Sequence, residues 1–343
     1  MKTKKIGLAM IALLLMLTTA CTHQKNVVKL GPCRAGDDWG YANKRGKVVI
    51  DLQYHETHGF SDGLALVKVF GKCGYIDKNG EYVIQPQFRN AHSFCEGVAA
   101  VSVNGKWGCI DKEGHCVIDF QFDLFGDFHE GLADVEIDKK WGYIDLEGRM
   151  VIQPQFTAAY GFYEGLAAVE KDNKFGFINK KGEYVIQPQF DFADDFCDGL
   201  ALVIVGDKYG YVDKEGRWAI EPIFDDASCF HEGLASVKID EKWGCIDTQG
   251  KMVIDCVFDY IGDFHEGLAQ MELDEKYGYI NKKGKIVIKP QFEDAWDFIG
   301  GVAIVCYSGK LGRDDLWGTI NRRGTLVLKV NREIIPLPRN RKQ

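Results

Sequence analysis

Residues 130–156 read EGLADVEIDKKWGYIDLEGRMVIQPQF. Three short runs, Gly131–Val135, Trp141–Asp145 and Met150–Phe156, are separated by a polar tip and by Asp145-Leu146-Glu147-Gly148. Alternating or β-branched residues over such lengths are the pattern of a strand. Asp at the first place of a turn caps backbone N–H groups through its carboxylate, and Gly at the fourth accepts a left-handed conformation. The stretch predicts three antiparallel strands joined by tight hairpins.

The same stretch recurs along the chain. An aromatic-Gly pair stands at Trp39-Gly40, Trp107-Gly108, Trp141-Gly142, Phe175-Gly176, Tyr209-Gly210, Trp243-Gly244, Tyr277-Gly278 and Trp317-Gly318, with Cys73-Gly74 in the one gap. The spacing is 34 residues until the last step of 40, which places a six-residue insertion between Tyr277 and Trp317. A helical array of the same period is excluded by the glycines and β-branched runs of every unit. Twenty-six of the 39 glycines stand in three columns: after the aromatic, at the end of the Asp/Asn turn, and at the opening of strand one. A length of 343 residues would otherwise suggest two domains; the repeat replaces that with one array.

The units resemble the WG-repeat family of bacterial proteins, whose motif runs EGLA, then KWGYID, then a glycine and VIxPxF. The resemblance covers Trp39 to about Lys329 as one partial and eight full units, and it implies architecture without any activity. Departures are Leu52, Phe120 and Cys256 in the proline place and a last unit without the Pro-x-Phe ending. Val-Ile pairs in the third strand (Val83-Ile84, Val151-Ile152, Val185-Ile186, Val253-Ile254) point to both faces of that strand and predict that both are covered by neighbouring units. The expected fold is all-β: an open, twisted array of three-stranded units over residues 37–330. A closed β-propeller is the alternative, disfavoured because spare N-terminal strands meet a C-terminal unit that already has all three.

Before the array, Lys2, Lys4 and Lys5 precede an apolar run from Ile6 to Leu17 and then Thr18-Thr19-Ala20-Cys21. This is the pattern of a signal peptide over residues 1–20, too short for a comfortable membrane span. It resembles a bacterial lipoprotein signal, which implies lipidation of Cys21 and a short tether over 21–36. Thr18 stands where that family usually has Leu, which leaves ordinary cleavage after Ala20 as the alternative. Thr22, in place of Asp, favours the outer membrane over the inner. The expectation is an exported envelope protein held by an N-terminal lipid. Residues 331–343 form a basic tail, read as a solvated end.

Composition narrows the functions. The net charge of −8 and the lack of a basic block across the body exclude nucleic acid as a partner. The acid column Asp62, Glu96, Glu130, Glu164, Asp198, Glu232 and Glu266 reads as a turn device accepting backbone N–H groups, because a repeated slot supplies like carboxylates while catalysis needs unlike ones. Cys197, His231 and His265 are metal-ligand types in consecutive units, but the spacing between units is too wide for one zinc. The ten cysteines other than Cys21 mostly replace core residues, and few or no disulfides are expected. No catalytic residue, cofactor or metal site is assigned. Variation within a fixed scaffold points instead to Tyr160 and Trp296, in a connector place otherwise held by His58, His92, Gly126, Asp194, Ser228 and Gly262. The reading is a non-enzymatic surface for an unidentified protein partner; a carbohydrate-binding module for an envelope glycan is the alternative.

Overall fold

The computed structural model describes residues 30–35, 37–307 and 316–328. They form nine small antiparallel sheets, here blades 1 to 9, in chain order. Blade 4 shows the plan. Leu124–Phe125 pairs with Leu132–Ile137, which pairs with Lys140–Asp145, which pairs with Met150–Phe156. The expected three strands are present, and most blades add a fourth, the connector strand that carries the chain in from the previous blade. In blade 3 the connector makes isolated bridges, Ala91 with Val101 and Cys95 with Val98.

Two of the glycine columns have distinct reasons. A Cβ on Gly142 would lie 2.4 Å from the carbonyl oxygen of Ile152, so the second strand can approach the third only without a side chain there. Gly148 closes its turn at φ 75°, while the Asp145 carboxylate accepts the N–H groups of Glu147 and Arg149. The third strand is bulged, pairing Tyr143 with Ile152 but Ile144 with Met150. The bulge turns Val151 outward, and it is 43% exposed, as are its counterparts Val83 and Val185 at 45%. The expectation that both faces of this strand are covered is thereby corrected. Of the Val-Ile pair only Ile152 faces the core, at 4% exposed.

The core lies between blades. Leu132, Tyr143, Ile152 and Phe156 of blade 4 pack against Ala159, Phe162, Ala167, Val169 and Ile178 of blade 5, and equivalent clusters repeat around the molecule. A blade cannot bury its own apolar faces, so each depends on the next.

The array is closed, which corrects the expected open arrangement. Leu30–Ala35, within the stretch read as a tether, is strand one of blade 1 and pairs with Asp38–Asn43 in the register that Leu132–Ile137 keeps with Lys140–Asp145. Its other face meets blade 9. The Arg34 N–H donates to the Thr319 hydroxyl (2.9 Å), which donates to the Arg34 carbonyl (3.1 Å), across 285 residues. Trp39 and Trp296 pack with ring centres 5.8 Å apart, and a Cβ on Gly31 would fall 1.9 Å from the Ile299 carbonyl oxygen. The ends therefore complete no shared blade; two whole blades meet face to face. Pro32, which lacks an N–H, is tolerated because this strand is the edge of its sheet.

Candidate binding rim

Corresponding residues of neighbouring blades come closest at the connectors. His129 Nε2 and the Tyr163 hydroxyl are 2.8 Å apart and the His231 and His265 rings 5.5 Å, while His92 Nδ1 reaches Asp127 Oδ1, one place further along the next connector, at 2.9 Å. Repeats of a ring approach most closely at its smallest radius. The connectors thus form the inner circumference, and the third strands, with their exposed valines, the outer.

The repeated residues of this rim fasten blades together. Tyr143 donates its hydroxyl proton to the Tyr160 carbonyl of the next connector (2.8 Å), as do Tyr41 to His58, Tyr75 to His92, Tyr211 to Ser228 and Tyr279 to Trp296 (2.7 Å each). Where Cys245 replaces this tyrosine, Ser236 supplies the bond, to the Gly262 carbonyl (3.1 Å). The acid column also serves this purpose. Each carboxylate accepts the N–H of the strand-opening glycine one blade on: Asp62 from Gly97 (2.6 Å), Glu96 from Gly131 (2.8 Å), Glu130 from Gly165 (3.0 Å), Glu164 from Gly199 (3.2 Å), and likewise Asp198, Glu232 and Glu266. The sequence reading placed this bond within each unit's own turn; the structure moves it between units.

What varies on the rim is acidic and imidazole-rich. The eight connectors (56–61, 90–95, 124–129, 158–163, 192–197, 226–231, 260–265, 294–299) hold eight acids, five histidines and no Lys or Arg. Their ionisation departs from the ordinary. Burial raises the Asp134 carboxyl, on the adjoining strand, to about 7, and the neighbouring Asp127 adds to the effect. Burial and Asp194 hold Asp195 well above the carboxylate range, and one of its buried oxygens has no hydrogen-bond partner. Asp297 is raised to about 6, chiefly by burial, with Asp263 adding and His265 and His231 opposing. Asp127 goes the other way: burial would raise it, but the hydrogen bond and charge of His92 prevail, and His92 is raised in turn.

The residues singled out from sequence fall as follows. Tyr160 is half-buried, stacked on Phe175 (6.1 Å) and edge-on to Phe192 (6.2 Å). Trp296 is 43% exposed and packs against Trp39 and Trp317 at the closure seam, where Arg34 lies over both of those rings. They occupy blades 5 and 9, so the fold does not bring them together. His231 and His265 each turn to an aspartate of the next connector, Asp263 (3.5 Å) and Asp297 (3.6 Å). Among the described residues no group of three His, Cys, Asp or Glu is placed to hold a metal ion. The ten described cysteines are free thiols, Cys33 fully buried among them. Cys21 lies outside the described residues. The sequence reading missed Asp127, Asp134, Asp195 and Asp297; the signal for the three connector residues was the lack of Lys and Arg in every connector, and that for Asp134 was an acid inside the apolar first strand.

Seven four-stranded and two three-stranded sheets closed around a connector-lined axis define a nine-bladed β-propeller. The chain belongs to the WG containing repeat family, which matches residues 39–73, 74–107, 107–141, 141–175, 175–209, 209–243, 243–277 and 277–310. No curated protein matches it. Among solved structures it is similar to one described as the crystal structure of the eukaryotic initiation factor, at 11% identity over 86% of this chain and 94% of that one, with a TM-score of 0.60. It is also similar to dihydro-heme d1 dehydrogenase NirN in complex with DHE (13% identity, 93% and 76% covered, TM-score 0.49) and to Hsv2p of Kluyveromyces lactis (11%, 58% and 74%, 0.39). At these identities the first likeness concerns the fold alone.

Proposed function

We propose that this protein is a non-enzymatic binding propeller, exported and lipid-anchored through Cys21, whose inner rim receives a protein partner in the cell envelope. The observation that carries the reading is the division of labour on the rim. The recurring carboxylates and tyrosines are consumed in fastening blades, and the connector residues that differ from blade to blade bring eight acids and five histidines to the rim without a Lys or Arg. Rigid scaffolds that vary only at one edge present recognition surfaces. The anchor rests on the sequence signal at residues 1–21.

Crosslinked capture from the native envelope tests the partner, comparing the wild-type chain with Asp194→Asn/Asp263→Asn. A specific protein captured by the first and lost with the second supports the reading; equal capture by both overturns it. Substituting Cys21→Ser and fractionating membranes tests the anchor. Unchanged membrane association with no acyl mass on the wild-type N-terminus would overturn lipidation.

A further inference from the structure

Eight of the nine units place an aromatic ring before the repeated glycine, and blade 2 places Cys73 there. In several other units that ring packs against a ring of a connector. Phe175 packs against Tyr160 of its own connector (6.1 Å) and Phe192 of the next (5.4 Å), Trp317 against Trp296 (5.8 Å), and Trp243 against Tyr260 (5.6 Å). The residues that would receive a ring at Cys73 are His58, of its own connector, and Asn90, which opens the next. Both line a cavity of about 310 Å³ together with Cys73 itself. Trp107 also lines it, with its ring centre 4.8 Å from that of His92. This volume lies at the lower end of small-molecule sites, roughly 300–1,000 Å³.

The cavity has a charge preference. Glu56 is held by His58 (3.5 Å) and Lys68 (3.4 Å), so its charge is answered within the wall. Its carboxyl is lowered to about 2, chiefly by the His58 hydrogen bond. Arg89, another lining residue, is exposed and makes no side-chain hydrogen bond or ion pair among the described residues. A free guanidinium fork is the natural partner of a carboxylate.

We propose that the cavity between blades 2 and 3 binds a small planar aromatic carboxylate, its ring taking the place of the absent side-chain ring at Cys73 against Trp107 and its carboxylate meeting Arg89. The cavity borders the rim, sharing Glu56, His58, Asn90, Ala91 and His92 with two connectors, but its test reads small-molecule binding and does not depend on the partner proposed above.

The probe is indole-3-carboxylate, titrated calorimetrically into the full chain, with neutral indole and cyclohexanecarboxylate as controls. One saturable site is expected, with both controls weaker. Cys73→Trp, which restores the ring of the other units, and Asn90→Tyr, which fills the gap from its other side as Tyr260 does, should each weaken binding by about tenfold or more. Arg89→Gln should weaken the carboxylate and leave indole unchanged. Saturation absent up to about 10 mM, or full affinity in a folded Cys73→Trp or Asn90→Tyr chain, overturns the site. Equal affinity for indole and its carboxylate overturns the charge assignment.

Discussion

The carboxylate of Glu130 accepts the backbone N–H of Gly165 at 3.0 Å, joining corresponding turns of two adjacent blades. Glu130 does so with φ at 53°, in the left-handed region that a non-glycine residue enters at a cost. The Lys180 ammonium, in the turn between the second and third strands of the next blade, holds the same carboxylate at 3.1 Å and donates to the Glu130 carbonyl at 2.8 Å. Backbone strain in one residue is thus offset by bonds to its neighbours. Glu130→Ala should destabilise the chain by about 1 kcal/mol, since the group is a third exposed and solvent screens the charge. Glu130→Gly should cost less, because it loses the same bond and relieves the dihedral. Urea denaturation of the two variants measures the difference; an equal or larger loss in the glycine variant would refute the account.

Closure of the ring rests in part on Thr319, fully buried against Arg34. Thr319→Val keeps the shape and removes both bonds, leaving a backbone N–H and carbonyl of Arg34 without that partner. The expected cost is roughly 1–3 kcal/mol, largely restored in Thr319→Ser. Hydrogen exchange of the Arg34 amide should accelerate in the valine variant alone.

Glycines of the strand-opening column and of the column after the aromatic should respond differently to alanine. At Gly131 nothing lies within 4 Å of a new Cβ, but φ is 85° and the strain is about 1–2 kcal/mol. At Gly142 the new Cβ would meet the Ile152 carbonyl oxygen at 2.4 Å, so the second and third strands must part. That change should cost more, on the order of 3 kcal/mol or above, and thermal unfolding of the two variants ranks them.

Asp134 sets a pH dependence. Burial raises its folded-state carboxyl to about 7, above the unfolded value near 4. Between those values the folded chain binds the proton and the unfolded chain does not, so this group's contribution falls as pH rises from about 4 to about 7. Gly126 leaves room for it, since a Cβ there would lie 2.2 Å from Asp134 Oδ1. Asp134→Asn should therefore gain stability over wild type at pH 8, by at least about 1 kcal/mol, and lose that advantage at pH 4. A difference between the two proteins that does not change with pH would refute it.

The strands and turns of the repeat were legible because each rests on local chemistry: Asp145 capping its turn, Gly148 entering the left-handed region, Ile152 and Phe156 alternating inward. Leu30–Ala35 was not read as a strand, because Gly31-Pro32-Cys33 lacks the usual Gly-Leu-Ala opening. Its one signal was spacing: Leu30 precedes Trp39 by the interval that separates Leu132 from Trp141. Most connector strands are too short for periodicity to show, two residues in Leu124–Phe125 and Ala158–Ala159.

By itself the sequence determined the unit, its period, its turns and the acidic, cation-free character of the connectors, since all of these depend on neighbours a few residues apart. The tertiary structure decided closure. Whether blade 9 meets blade 1 depends on the angle accumulated between successive blades, which is set by the packing of Phe162 and its counterparts and by clasps such as Glu130 to Gly165. It also decided where a missing ring leaves space. Cys73 reads as one more small core residue until the blades around it are in place.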